Sequence, residues 1–263
     1  MSLSVIVLTY NGYDLLPDCL KSIGEIGDER IVVDNGSHAQ WWIQEIAQAH
    51  RFEVRRIEEN VGNIGGINKC FEFASNDTVL FVSDDVRFLR GKPNIKKLSH
   101  PIAQIMPIVR NPDLTLQTTG LSWIWPGYGV SKLMPWPSII PSICFLMQKC
   151  IWKGIGKFDE NLISSHEDVD MGLRLLDANF LNKVQKSWEV IHLANSTLSK
   201  TLTNHSKRFH ESRRMVIKKH YSGIDRAMRL AAESLIYSAT SSMQALNEIA
   251  SKALKVVASR GGV

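Results

Sequence analysis

Four short apolar runs, Leu3–Thr9, Arg30–Val33, Phe52–Ile57 and Thr78–Val82, recur in the first third of the chain, each closed by a polar or glycine-bearing break. Between them lie segments whose spacing predicts helices, Tyr13–Ile23, Trp41–Ala49 and Ile67–Ala74. Strand and helix alternating at this pitch predict βαβ units and a mostly parallel sheet flanked by helices. The first and fourth runs are almost wholly apolar, as expected of strands covered on both faces. Ligands of such sheets gather at the carboxyl ends of the strands. The residues there are Thr9-Tyr10-Asn11, Asp34-Asn35-Gly36-Ser37 and Ser83-Asp84-Asp85.

The middle of the chain, about Pro93–Pro141, is irregular and rich in Pro and Trp, and reads as loops and short strands walling a cleft. Ile139–Met147 and Trp188–Ile191 are further strand candidates, and Ser165–Ala178 a helix. After about Lys200 the pattern turns helical. From Met228 an apolar 4–3 spacing runs through Ala232, Leu235, Ala239, Ser242, Leu246, Ile249, Ala253 and Val256, with Ser242 its polar lapse. These shifts divide the chain into an α/β body, 1–199 (halves 1–92 and 93–199), and a helical region, 200–263.

Charge sharpens that division. The whole chain carries a formal +5, but residues 1–199 hold 19 Lys+Arg against 22 Asp+Glu, and residues 200–263 hold 12 against 4. A near-neutral body thus bears a basic appendage. The tail lacks the interleaved aromatics of a nucleic-acid binder, so no nucleic-acid partner is expected. Cys19, Cys70, Cys144 and Cys150 show no C-x-x-C spacing and read as buried free thiols. No secretory leader and no apolar run of roughly 20 residues stand out, so a cytoplasmic protein is expected, with peripheral membrane contact through the basic tail as a further reading.

Several clusters have the residue types that chemistry needs. Asp84-Asp85 ends a buried strand, where two adjacent carboxylates need solvent or a cation; Mg²⁺ or Mn²⁺ would suit their oxygens, and a solvated turn is the other reading. Asp34 could accept a hydrogen bond from a ligand N–H or close an Asx turn. Asn60–Asn68 is a Gly-rich turn opening a helix, where backbone N–H groups suit phosphate. It does not fit G-x-G-x-x-G, and there is no P-loop. His166-Glu167-Asp168-Val169-Asp170 opens a helix; the carboxylates could cap it, Asp170 could pair with Arg174, and one could be a general base. His192 ends a strand, as a metal ligand or as a structural histidine.

Taken in order, Ser4-Val-Ile-Val-Leu-Thr-Tyr-Asn11, Ile31-Val-Val-Asp-Asn-Gly-Ser37, Asn60-Val-Gly-Asn-Ile-Gly-Gly-Ile-Asn68 and Leu80-Phe-Val-Ser-Asp-Asp-Val86 resemble the inverting glycosyltransferases of family 2, which use the GT-A fold. Gly156-Lys-Phe-Asp-Glu160, His166-Glu-Asp-Val-Asp-Met-Gly-Leu-Arg174 and Val190-Ile-His192 continue the likeness. Asp113-Leu-Thr-Leu-Gln-Thr-Thr-Gly120 is similar to a stretch of the rhamnosyltransferase-like branch.

The resemblance implies transfer of a sugar from a UDP- or dTDP-linked donor to a hydroxyl of a glycan or lipid-linked acceptor. Thr9, Tyr10, Asn11, Asp34, Asn60, Gly62, Asn68 and Asp84 would line the donor site, with Asp34 reading the pyrimidine. Asp85 and His192 would hold Mn²⁺ or Mg²⁺. Asp168, with Glu167 beside it, would be the base. Ser83 stands where the family's Asp-x-Asp signature has its first carboxylate. Trp123, Trp125, Tyr128 and Trp136 could stack on acceptor sugars or pack the wall. A catalytically inactive sugar-nucleotide-binding scaffold of the same fold is the alternative. The helical region either docks on the body or forms a homodimer through its apolar stripe.

Overall fold

The computed structural model describes residues 2–124, 128–130, 136–162, 165–193 and 202–238. Its elements are β1 (Leu3–Thr9), α1 (Leu16–Ile23), β2 (Glu29–Asn35), α2 (Gln40–Ala49), β3 (Glu53–Ile57), α3 (Gly62–Phe73), β4 (Thr78–Ser83) and β5 (Val86–Arg90). After a 3-10 turn at Ile95–Lys97 come β6 (Ile102–Arg110), β7 (Leu116–Thr118), β8 (Ser122–Ile124), β9 (Tyr128–Val130), β10 (Cys144–Gln148), α4 (Lys149–Gly154), α5 (Glu167–Asp177), β11 (Leu181–His192) and α6 (Leu202–His220). A last described helix, α7, spans 223–238.

The first half folds as its pattern predicts. Strands β3-β2-β1-β4 pair in parallel, Thr9 lying beside Asp34 and Leu8 beside Ser83. Every residue of β1 is buried, because helices cover both sheet faces. Helix α1 buries Leu16, Cys19, Leu20 and Ile23, an i, i+3, i+4, i+7 stripe. Helix α3 begins at Gly62, five residues before the apolar run that predicts it, so its N-terminus sits directly after the β3 strand end.

Beyond β4 the parallel half of the sheet continues into mixed pairings. Its order continues β4-β10-β6-β11-β5, with β7 on β6; β10 runs antiparallel to β4 and β6, and β11 is parallel to β6 but antiparallel to β5. Strand β6 lies inside the stretch expected to be loops. Its Pro107 argues against a central strand, since proline cannot donate to a ladder. The partner resolves the conflict: β11 shifts register between Val184, opposite Met106, and Glu189, opposite Ile108, so Pro107 faces a bulge.

Trp125, Pro126 and Pro135 lie outside the described residues, as do the side chains of Trp123 and Tyr128 and the stripe residues from Ala239 to Val256. Trp136 is exposed, with the Lys183 ammonium over its ring. Cys19, Cys70 and Cys144 are buried free thiols as expected, whereas Cys150 is exposed. No described helix is long and apolar enough to cross a membrane. Helix α6 docks on the body, burying Val216 and Ile217. The first stripe residues behave otherwise: Met228 and Leu235 of α7 face outward, while Glu233 turns in to meet His210 and Arg213 of α6.

Candidate active site

The carboxyl ends of β1, β2 and β4 are stitched together by their own polar groups. Asn11, in a left-handed conformation at φ 54°, donates its backbone N–H to Ser37 Oγ, and its Oδ1 accepts from His38 N and Tyr13 Oη. Asp34 is fully buried: Oδ1 accepts from Ser37 N at 2.9 Å, and Oδ2 pairs with Arg56 Nη1. Both of its oxygens are thus already engaged, in an Asx turn and a buried ion pair. Arg56, from β3, also binds Ser37 O and has no signal in the local sequence. Tyr10 is exposed, its ring edge-on to His38.

The start of α3 is organised in the same way. Asn35 Nδ2 donates to Asn60 Oδ1 and Gly62 O, and its Oδ1 accepts from Val61 N. Asn60 Oδ1 accepts from Gly62 N. Two N–H groups at this terminus are therefore already capped, which leaves fewer for a phosphate than the glycine pattern implies. Asn68 lies on the buried side of the helix. Its Oδ1 accepts from Trp152 Nε1 and Phe158 N, and its Nδ2 donates to Phe158 O and Glu160 Oε1. That amide clamps α3 to the segment before α5, rather than facing a donor.

The turn after β4 separates its two aspartates. Thr9 Oγ1 donates to Asp84 Oδ2 at 2.6 Å. Burial, helped by the charge of Asp85, pushes the Asp84 carboxyl up to about 6. A Cβ on Gly12 would collide with Asp84, so this glycine permits the approach. Asp85 Oδ2 lies 3.1 Å from His192 Nε2, and the ring's other nitrogen meets Gln117 Oε1 at 3.0 Å. Burial acts to raise the Asp85 carboxyl, but the hydrogen bond and charge of His192 outweigh it and hold it below the usual range.

Asp85 Oδ1 is buried and has no hydrogen-bond partner. An orphaned carboxylate oxygen beside an imidazole oriented through its far nitrogen fits a divalent cation completed by substrate oxygens and water. Among the described residues no group of three or more His, Cys, Asp or Glu could hold a metal ion unaided.

The third component is α5. His166, at its N-cap, is held at φ 67°, so that Glu167, Asp168 and Asp170 occupy the first turn. Asn63 Nδ2, at the start of α3, meets Glu167 Oε1 at 3.4 Å across 104 residues of sequence. Since α3 begins at the carboxyl edge of the parallel strands, this contact brings the α5 carboxylates to that edge. Glu167 is buried, whereas Asp168 is partly accessible, its Oδ1 accepting from Val169 N. Burial holds both carboxyls above the usual range, and the charge of Asp168 raises Glu167 further.

Asp170 is otherwise occupied. Its Oδ2 accepts from Arg174 Nε and Nη2, and its Oδ1 from Lys219 Nζ and His220 Nε2. Despite burial, those partners hold its carboxyl well below the usual range. Burial, with the charges of Arg213 and His210, pushes the His166 imidazole down to about 3, so it is neutral near pH 7.

Residues 4–110 match the model of Glycosyl transferase family 2, an interval ending with β6 and short of His192, α5 and the tail. No curated protein matches the chain. Among solved structures, GalNAc-T7 with UDP, GalNAc and Mn²⁺ aligns at 14% identity and a TM-score of 0.64, covering 73% of this chain. Mannosyltransferase PcManGT from Pyrobaculum calidifontis, with GDP-Man and Mn²⁺, aligns at 13% and 0.60 over 100% of this chain and 76% of its own. S. aureus TarS 1–349 with UDP-GlcNAc aligns at 19% and 0.55, over 89% of this chain and 71% of its own. The chain spans 44% of the GalNAc-T7 chain. At these identities the likeness is one of fold, and the fold is the GT-A type.

Proposed function

We propose that the chain is a metal-dependent inverting glycosyltransferase that moves a hexosyl or rhamnosyl group from a UDP- or dTDP-sugar to a hydroxyl of a glycan or lipid-linked acceptor. The observation that carries the reading is the Asn63–Glu167 contact, which joins the α5 carboxylates to the sheet edge bearing Asp84, Asp85 and His192. The family match over residues 4–110 and structural neighbours solved with UDP-GlcNAc, GDP-Man or Mn²⁺ support it.

Asp85 and His192 would hold Mn²⁺ or Mg²⁺, whose charge offsets the negative charge developing on the departing diphosphate. Asp168, the more accessible carboxylate of its pair, takes the proton of the acceptor hydroxyl. The acceptor oxygen bonds to the anomeric carbon as the bond to the diphosphate oxygen breaks, and a single displacement inverts configuration. Glu167, buried with Asn63 at its Oε1, is a weaker candidate for the proton. Thr9 supports Asp84, and Arg56 holds the turn at Asp34. The donor therefore meets a preorganised strand edge, which lowers the cost of positioning it.

The test is a panel of UDP-, dTDP- and GDP-sugars assayed for Mn²⁺-dependent hydrolysis and for protection against melting. Turnover and protection by uracil- or thymine-bearing donors are expected, with Asp85→Ala abolishing the metal dependence. Protection without hydrolysis or transfer by any donor would instead identify a binding scaffold.

A further inference from the structure

The base proposed above sits between two contacts made by one distant helix. Two residues before Asp168, the His166 ring packs on Phe209 of α6 with centroids 4.4 Å apart. Two residues after it, Asp170 Oδ1 receives Lys219 Nζ and His220 Nε2, both at 2.8 Å, from the end of the same helix. Lys219 also reaches Asp159 at 2.6 Å, tying in the segment that leads to α5. We propose that α6 is a positioning element of the active site, gripping the first turn of α5 on both sides of Asp168 through Phe209 and Lys219. The inference rests on Asp168 being the base.

Two further features give the grip a purpose. His166 is a non-glycine residue in the left-handed region, a conformation that persists where its surroundings over-determine it. Phe209 supplies that constraint and is itself fixed, with the Arg213 guanidinium 5.0 Å from its ring centre. Arg213 Nη1 in turn donates to buried Glu233 of α7 at 2.8 Å, and the same carboxylate pairs with His210. The buried Glu233 thus braces α6 from its far side, and α6 braces α5. Asp170 meanwhile cannot act on substrate, since Arg174, Lys219 and His220 occupy both of its oxygens. Its burial on a helix otherwise devoted to the active site is explained as the socket for α6.

Lys219 is 38% exposed at its side chain, so its replacement leaves the core intact. Lys219→Met and Phe209→Ala are each expected to lower kcat for transfer roughly ten- to hundredfold. Donor KM and Mn²⁺-dependent donor affinity should stay within about twofold of wild type. Lys219→Arg and Phe209→Tyr should restore most of the rate. Unchanged kcat, or donor affinity falling in step with kcat, would overturn the proposal. Hydrogen exchange of the substrate-free protein separates this outcome from a failure of the glycosyltransferase reading. Lys219→Met should speed exchange of amides 165–172 while those of β1 and β4 hold, whether or not any sugar is transferred. Equal exchange at 165–172 would refute the grip by itself.

Discussion

Asp84 and Asp168 are both raised above the usual carboxylate range by burial, and each raised group makes its own demand. At Asp84 the demand is steric. A methyl group on Gly12 would collide with Asp84 Oδ2 and lie 2.6 Å from Thr9 Oγ1, so Gly12→Ala must displace one of them. The expected result is a loss of about 1–3 kcal/mol in urea unfolding, with a clear fall in Mn²⁺-dependent donor affinity by calorimetry. At Asp168 the demand is protonic. An acid whose folded pKa lies above its unfolded value holds its proton more tightly in the fold. It therefore opposes folding increasingly as pH rises from the unfolded pKa to the folded one. Asp168→Asn should consequently raise the melting temperature at pH 8 by at least about 2 °C and narrow that gain below pH 4, while transfer falls by roughly 10²–10⁴-fold. In the wild type, kcat/KM should drop on the acid side at a pH above the ordinary carboxylate range.

At the scale of elements, what could be read from the sequence depended on whether a residue's partner was local. Strands β1 to β4 and the polar clusters that end β1, β2 and β4 follow from period and punctuation, and they put Thr9, Asp34 and Asp85 on one edge. Strand β6 does not, because Pro107 hides a central strand whose missing donor is excused only by a bulge in β11, about 80 residues away. Strand β5 is hidden for another reason: it is a short edge strand that directly follows the Asp84-Asp85 turn, and two of its five residues, Arg87 and Arg90, are charged. The partners that decide chemistry are the least local. Gln117 orients His192, Asn63 meets Glu167 and Arg56 seals Asp34, each across a separation that no motif spans. The Arg56 pair has a measurable consequence. With the Asp34 side chain fully buried, Arg56→Met leaves an uncompensated carboxylate and should cost about 3–5 kcal/mol in urea unfolding. The double variant with Asp34→Asn should recover part of that loss, and an additive double variant would mean that the two side chains do not interact.

Across the whole molecule the lopsided charge resolves into a contact. The near-neutral body and the basic tail meet where Asp159 and Asp170 receive Lys219 and His220, so part of the tail's charge lies inside the fold rather than on a distant partner. Asp170 works in the opposite sense to Asp168. Its folded pKa is depressed, so it adds stability that is fully present above the unfolded carboxylate value and is lost as pH falls through the folded one. Asp170→Asn should therefore destabilise the protein by about 3–5 kcal/mol at pH 7, since Arg174, Lys219 and His220 lose their shared anion. The gap between variant and wild type should be the same at pH 5 as at pH 7, and should close only in more acid solution. Because Asp170 itself is fully buried, 0.5 M NaCl should shrink the gap little, whereas a surface ion pair would be screened. Urea titrations at pH 7, 5 and 3, with and without salt, measure all of this. A gap that vanished in salt at pH 7 would mean that the tail only rests against the body.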